Sequence, residues 1–301
     1  MIIDNAIIAF ECFHAINRCK SVESQFCAYK LDLTKAYDRV DWRYLEGALL
    51  KVGFCSQWIQ LLMTCVTSVS YAVRFNGSML ESFKLTRGLR QGDPLSPYLF
   101  LFVADGLSTA LSEAERLGRL QPLKVCRRAP GISHLLFADD SLLFFKSNME
   151  QTNVVKSALT LYEQSTGQLL SPAKCSLMFG KHCGDALQSD IRSLLQVQHT
   201  SFEDKYLGLP TPMGRLKAGR YQSLKERFEK RLTDWNEKYL SMGGKEVLIK
   251  SVLQAIPTYV MSVFKLPAGL CEEYMQLIQK FWWGRRPSEK ESPLDIMAAT
   301  D

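Results

Sequence analysis

The sequence predicts a mixed α+β fold followed by an all-helical region, and three observations carry this. Apolar residues recur at helical spacing over 2–19, 42–50, 58–66, 96–116 and 152–164. Two stretches, 70–85 and 132–145, alternate as β-hairpins do. Beyond Pro212 only helical spacing remains. With 301 residues, 47% of them hydrophobic, the chain is long enough for about two domain-sized units, each with a buried core.

Each element has its own signal. After the first helix, a short strand over Tyr29–Leu33 carries Asp32 at its end. A helix capped at Thr34 or a neighbour then places Trp42, Leu45, Leu49 and Leu50 on one face and stops at Gly53. Another follows over Trp58–Val66. Asn76-Gly77 is the turn of the first hairpin, because both residues tolerate the left-handed backbone that a tight hairpin requires. Arg87–Pro94 reads as a loop, and Ser96-Pro97 as the N-cap and first position of a long apolar helix to about Arg116. The second hairpin joins Ile132–Phe137 to Ser141–Phe145 through Ala138-Asp139-Asp140, and helical spacing resumes over Thr152–Gln164. Gln222–Tyr239, Lys245–Ile256 (stopped by Pro257) and Gly269–Trp283 complete the chain as helices.

Composition narrows the function classes. Apolar runs such as Tyr98–Ala104 fall far short of the roughly 20 residues that span a bilayer, so no membrane partner is expected. The N-terminus lacks the basic segment of a secretory signal. Nine cysteines, none in a Cys-x-x-Cys pair, predict reduced thiols in an intracellular protein, nuclear or cytoplasmic. Cys175, His182 and Cys183 lie close together but lack a fourth zinc ligand at a recognisable spacing. The net charge of +6 is unevenly spread: Met213–Arg286 holds 14 Lys or Arg against 7 Asp or Glu, leaving 23 against 24 elsewhere. That excess is either a solvated face or a surface for a polyanion.

The chemistry centres on carboxylates. Asp139 and Asp140 are adjacent at a hairpin tip, where two like charges repel unless a cation neutralises them. Magnesium is suited to this, since it takes hard oxygen ligands, is held by one or two carboxylates and leaves positions for phosphate. Asp32, at a second strand end, is the best donor of a third carboxylate. An Asp-Asp pair between apolar strands is, by itself, usually just a polar turn.

The order of three blocks adds to this. Asp32-Leu33-Thr34-Lys35-Ala36-Tyr37-Asp38, Arg90-Gln91-Gly92-Asp93-Pro94-Leu95-Ser96-Pro97 and Phe137-Ala138-Asp139-Asp140 resemble the palm motifs of reverse transcriptases. Gly167–Lys174 resembles the fourth palm motif, with Ser171 where the family has Asn and Cys175 where it has Ser. Lys205–Pro210 resembles the primer-gripping segment, and the stretch from Trp235-Asn236 through Leu240–Lys245 to Phe281–Gly284 resembles the thumb and beyond. The likeness is to LINE-type, non-LTR retrotransposon enzymes of the kind common in plants.

The resemblance implies a right-hand polymerase: a palm with partial fingers over 1–210, a helical thumb-like region over 211–286 and a tail over 287–301. It implies two Mg2+ ions, replaceable by Mn2+, on Asp32 and Asp139, with Asp140 auxiliary. Tyr37 matches the aromatic under the sugar of the incoming deoxynucleoside triphosphate, and Gln91 and Gly92 match the loop that approaches template and nucleotide. Lys174 matches the lysine that protonates the leaving pyrophosphate. Tyr37 also reads as a core tyrosine, and Lys174 as a surface lysine. Tyr206, Leu207 and Gly208 would hold the primer end, and Arg215, Lys217, Arg220, Lys225 and Arg227 would contact the backbone of an RNA template and DNA primer. Family members carry further fingers and an endonuclease upstream, and other domains downstream. Their absence here predicts a fragment that binds template and primer but polymerises poorly. A maturase-like protein and a non-catalytic nucleic-acid-binding relic remain as rival readings.

Overall fold

The computed structural model describes residues 1–19, 25–199, 201–202, 205–211, 221–235 and 240–283. It divides into two compact units, Met1–Met213 and Gly214–Asp301.

The first unit opens with α1 (Ile2–Arg18) and β1 (Phe26–Leu31). A single 3-10 turn over Tyr37–Arg39 leads to α2 (Trp42–Val52) and α3 (Ser56–Thr67). A projecting ribbon pairs β2 (Ser70–Tyr71) with β5 (Phe83–Lys84) and β3 (Arg74–Phe75) with β4 (Ser78–Met79). Then come α4 (Ser96–Arg116), β6 (His134–Phe137), β7 (Asp140–Lys146), α5 (Met149–Thr166), β8 (Ser176–Phe179) and α6 (Asp185–Leu195). A small hairpin, β9 (Lys205–Tyr206) and β10 (Leu209–Pro210), closes the unit.

The central sheet has the order β6-β7-β1-β8, and all its pairings are antiparallel. Side chains alternate between its faces. Tyr29, Leu31, Leu143, Phe145 and Leu177 point into a core shared with Leu107 and Leu111 of α4, Val155 and Leu159 of α5 and Ile191 of α6. On the other face Phe144 meets Phe13 of α1 at 6.3 Å between ring centroids. A second core joins Leu45 and Leu49 of α2, Ile59 of α3 and Leu99, Phe100 and Val103 of α4.

The structure corrects several expectations. Thr34 caps no helix, because α2 begins only at Trp42; the Thr34 amide instead donates to the Leu169 carbonyl at 2.8 Å. Asp41 caps α2 instead, accepting from the amides of Arg43 (2.8 Å) and Tyr44 (3.1 Å). Ser96 is not the cap of α4 but its first residue, and Asp93 accepts from the Leu95 amide at 2.9 Å just ahead of it. The strand at Asp32 begins three residues earlier than its alternation suggests.

In the second unit, α7 (Gln222–Asp234), α8 (Met242–Leu248), α9 (Ala255–Met261) and α10 (Ala268–Trp283) form a helical group. Stacked Phe228 and Tyr274 (4.7 Å) and the Lys225–Glu273 ion pair (2.7 Å) join α7 to α10. Pro257 does not stop a helix. It sits in the first turn of α9, where its missing N–H costs no bond, and a π-turn over Ile249–Leu253 joins α8 to α9. Among the described residues no helix is long and apolar enough to cross a membrane.

Candidate active site

The turn between β6 and β7 contains only Ala138 and Asp139, since Phe137 pairs directly with Asp140. Ala138 adopts φ +52°, the hand a two-residue hairpin needs at its first central position. For an L-residue that conformation costs about 1–2 kcal/mol, and such strain clusters at functional sites. The β1–β7 register ends at Leu31↔Ser141, so the next step faces Asp32 with Asp140. Two of the three predicted carboxylates thus leave neighbouring strands at one edge of the sheet, with Asp139 in the adjoining turn.

The segment after α5 fixes Asp32 from the other side. The Ser171 amide donates to the Asp32 carbonyl at 2.9 Å, and Leu33 bridges to Leu170. Buried Gln168 donates Nε2 to the Ala36 carbonyl at 2.9 Å, and Arg39 donates Nε to the Gly167 carbonyl at 3.1 Å. One carboxylate oxygen of Asp32, Oδ1, is buried without a hydrogen bond. The exposed Lys174 ammonium stands 3.5 Å from it, an ion-pair distance too long for a strong hydrogen bond.

Tyr37 stacks on Phe100 of α4, with centroids 4.9 Å apart and planes 13° from parallel. Burial, and after it the Asp139 carboxylate, raises the Tyr37 phenol above its ordinary pKa, so Asp139 and Tyr37 lie within electrostatic reach. The loop carrying Gln91 and Gly92, both exposed, is bound to the Tyr37 turn. The Leu89 amide donates to the Tyr37 carbonyl (2.8 Å), and Trp42 Nε1 donates to the Gly88 carbonyl (2.7 Å). Gly88 has φ +95°, and a Cβ there would lie 2.7 Å from the Asp38 carbonyl oxygen, so only glycine lets these segments pass. Gln91 Nε2 reaches Asp38 Oδ1 at 3.5 Å.

The β9–β10 hairpin turns through Leu207 (φ +48°) and Gly208 (φ +74°), a tight turn with both central residues left-handed. Tyr206 departs from the expected direct primer contact. Its side chain is fully buried and donates its hydroxyl to Asn5 Oδ1 at 2.8 Å, while Asn5 Nδ2 donates to the Leu136 carbonyl at 3.0 Å. It braces the hairpin against α1 and β6, and Gly208 is the exposed residue of the three. Leu207 is also buried.

Lys225 spends its charge on Glu273, whereas Arg227 is exposed. Arg215, Lys217, Arg220 and the 287–301 tail lie outside the described residues. Cys175 is buried in the sheet core with the Tyr29 hydroxyl, and no group of three His, Cys, Asp or Glu gathers as a metal cage among the described residues. The zinc trio therefore does not assemble. The three aspartates, likewise, form an open edge rather than a closed cage.

Sequence reasoning assigned no role to Asn5, Phe100, Gln168 or His134. Asn5 was visible only as a polar residue in apolar surroundings, and Gln168 only as a member of the Gly167–Lys174 motif. His134 sits on edge strand β6 between Ser108 Oγ (2.8 Å) and Ser133 Oγ (3.0 Å), with Ser133 donating to Glu115 at 2.9 Å.

The chain is similar in sequence to a known protein family and to several curated proteins. Residues 2–211 match the family model described as reverse transcriptase (RNA-dependent DNA polymerase). The retrovirus-related Pol polyprotein from type-1 retrotransposable element R2 of Popillia japonica is 28% identical over 170 residues, covering 56% of this chain and 27% of that protein. An uncharacterized mitochondrial protein of Arabidopsis thaliana is 54% identical over 66 residues, 22% of this chain and 54% of its own length. The transposon TX1 149 kDa protein of Xenopus laevis is 26% identical over 260 residues, 84% of this chain and 19% of that protein. The chain thus spans from about a fifth to about half of the length of these relatives. A solved telomerase of Candida albicans, in complex with a fragment of telomeric RNA, aligns with 93% of this chain and 47% of its own at 11% identity and a TM-score of 0.49. The chain belongs to the reverse transcriptase (RNA-dependent DNA polymerase) family, and its named relatives include proteins of non-LTR retrotransposons.

Proposed function

We propose that this chain extends a DNA primer on an RNA template, adding deoxynucleotides by two-metal phosphoryl transfer at the edge formed by Asp32, Asp139 and Asp140. The observation that supports this most is the strand register that faces Asp32 with Asp140, beside a buried Asp32 oxygen lacking a hydrogen bond. The donors fit magnesium, which takes hard oxygens and is held by only one or two carboxylates. Asp32 and Asp139 would hold the ions, with Asp140 auxiliary; when bound, the ions supply charge stabilisation to the attacking and leaving oxygens.

The remaining roles belong to the chain. Lys174, free to swing from its 67% exposed position, donates a proton to the leaving pyrophosphate. The Tyr37 ring, held flat on Phe100, occupies the place of a ribose 2′-hydroxyl and so selects deoxynucleotides. Gln91 and Gly92 line the approach of template and nucleotide. The Leu207-Gly208 turn presents backbone to the primer, and the helical second unit acts as a thumb on the duplex.

The test is primer extension with magnesium, an RNA template and labelled deoxynucleotides. Asp32→Asn abolishes extension while leaving cooperative unfolding intact, because an amide cannot hold the cation. In chelator the variant melts no lower than the parent, since removing one of several clustered carboxylates relieves repulsion. Full extension by Asp32→Asn refutes the assignment.

A further inference from the structure

A basic loop lies at the end of the sheet opposite the aspartates. Residues 116–138 contain Arg116, Arg119, Lys124, Arg127 and Arg128 and no Asp or Glu. Arg116 is engaged by Glu113 at 2.7 Å, and Arg119 also feels that carboxylate. Lys124, Arg127 and Arg128 are exposed and, among the described residues, form no ion pair. Three uncompensated cations in five residues repel one another, a cost that an anionic partner removes.

The loop is a built platform rather than a loose tail. Leu120 and Leu123 are buried, Leu123 and Ile132 exchange backbone hydrogen bonds of 2.9 and 2.8 Å, and Gln151 Oε1 accepts from the Gln121 amide at 3.3 Å. At its tip the Ala129 amide donates to the Cys126 carbonyl at 3.1 Å, closing a turn with Arg127 and Arg128 at its two central positions. Both side chains are exposed there. Beside the loop a cavity of about 760 Å³ is lined by Lys124 and by His14 and Arg18 of α1, with Glu11 the one carboxylate.

Phe26, which also lines that cavity, begins β1, and Asp32 follows its far end. Six steps at about 3.3 Å separate the loop region from the catalytic edge by about 20 Å.

We infer that the 116–131 loop is a second nucleic-acid-binding surface, at which Lys124, Arg127 and Arg128 engage phosphates about 20 Å from the aspartates. The identity of the polyanion rests on the proposed template-directed activity. The loop holds the part of the template–primer hybrid, or of the template itself, that lies outside the active site. Exposed guanidinium pairs suit phosphate oxygens, which they engage in a bidentate manner.

The experiment measures binding of the full chain to labelled RNA–DNA hybrids by fluorescence anisotropy across a salt series. One hybrid, its two strands covalently linked at one end, has about four base pairs, roughly 14 Å at 3.4 Å per pair, and falls short of the roughly 20 Å between the aspartates and the loop. The other is several times longer. The parent binds the long hybrid with a steeper dependence of log affinity on log salt than the short one. Arg127→Ala/Arg128→Ala lowers that slope by about 1.4 to 1.8 on the long hybrid, at roughly 0.7–0.9 per lost phosphate contact, and leaves the short hybrid unchanged. Both side chains are exposed at a loop tip and the buried anchors are untouched, so folding is retained. Equal slopes for parent and variant on the long hybrid overturn the inference, including the case in which the loop receives an acidic protein segment. Failure of the parent to bind either hybrid contradicts the proposed function itself.

Discussion

The surroundings of Asp32 fit the cation-holding role proposed for it. Its carbonyl is held by Ser171, its neighbour Leu33 is bridged to Leu170, and its Oδ1 is buried without a hydrogen bond, 3.5 Å from the Lys174 ammonium. A carboxylate on a backbone held this way, with one oxygen lacking a hydrogen bond, is suited to a hard cation. Tyr37 is held by a flat stack on Phe100. In the proposed role this stack holds the ring where it would meet a 2′-hydroxyl. Tyr37→Ala admits ribonucleotides while retaining deoxynucleotide use, which incorporation of each sugar type measures. An unchanged preference identifies Tyr37 as a core residue only. Both residues were legible in the sequence from their motif. Phe100 beneath Tyr37 was not, because the stack joins residues 63 positions apart through a loop whose path is not encoded locally.

Strand β6 leads into the Ala138-Asp139 turn and, among the described residues, has a strand neighbour on one side alone. Side chains hold it elsewhere: Asn5 at the Leu136 carbonyl, and Ser108 and Ser133 at His134. Burial lowers the His134 pKa, against the opposing pull of Glu115 and Asp105. The unfolded chain then binds the proton more readily, so stability is full above the unfolded value of about 6.5 and falls as pH drops through it. His134→Gln reduces this acid loss in thermal melts between about pH 7 and 5; an unchanged melting profile removes His134 as its source. In β9, which Asn5 links to β6, Tyr206→Phe separates bracing from primer contact. It deletes the hydrogen bond to Asn5 and costs about 0.5–1.5 kcal/mol of stability. Primer affinity stays within twofold, roughly 0.4 kcal/mol; a large loss of primer binding with unaltered stability reverses the assignment. The sequence marks these elements unevenly. Alternation and Asn76-Gly77 reveal the hairpins, whereas β8 escapes because Ser176, Leu177 and Met178 are buried on both sheet faces and show no alternation.

Across the whole chain, long-range pairing makes the site. The order β6-β7-β1-β8 brings residue 32 beside residue 140 and lays 167–175 along 32–36, and neither neighbour is written in local periodicity. Composition showed the basic C-terminal third but averaged away the five cations of the 116–131 loop, which is a local feature of an otherwise balanced region. Helices of the second unit were legible by spacing, although Pro257 misled because its place in a first turn depends on the π-turn before it. The central claim is magnesium-dependent polymerisation at the Asp32–Asp139–Asp140 edge. Single-turnover extension of a DNA primer on an RNA template, with protein in excess so that slow chemistry still registers, tests it most directly in the parent and Asp139→Asn. The account predicts added deoxynucleotides in the parent with magnesium, none in chelator and none in the variant, with both proteins binding the hybrid. Equal extension by the two proteins, or none by a parent that binds the hybrid, contradicts it.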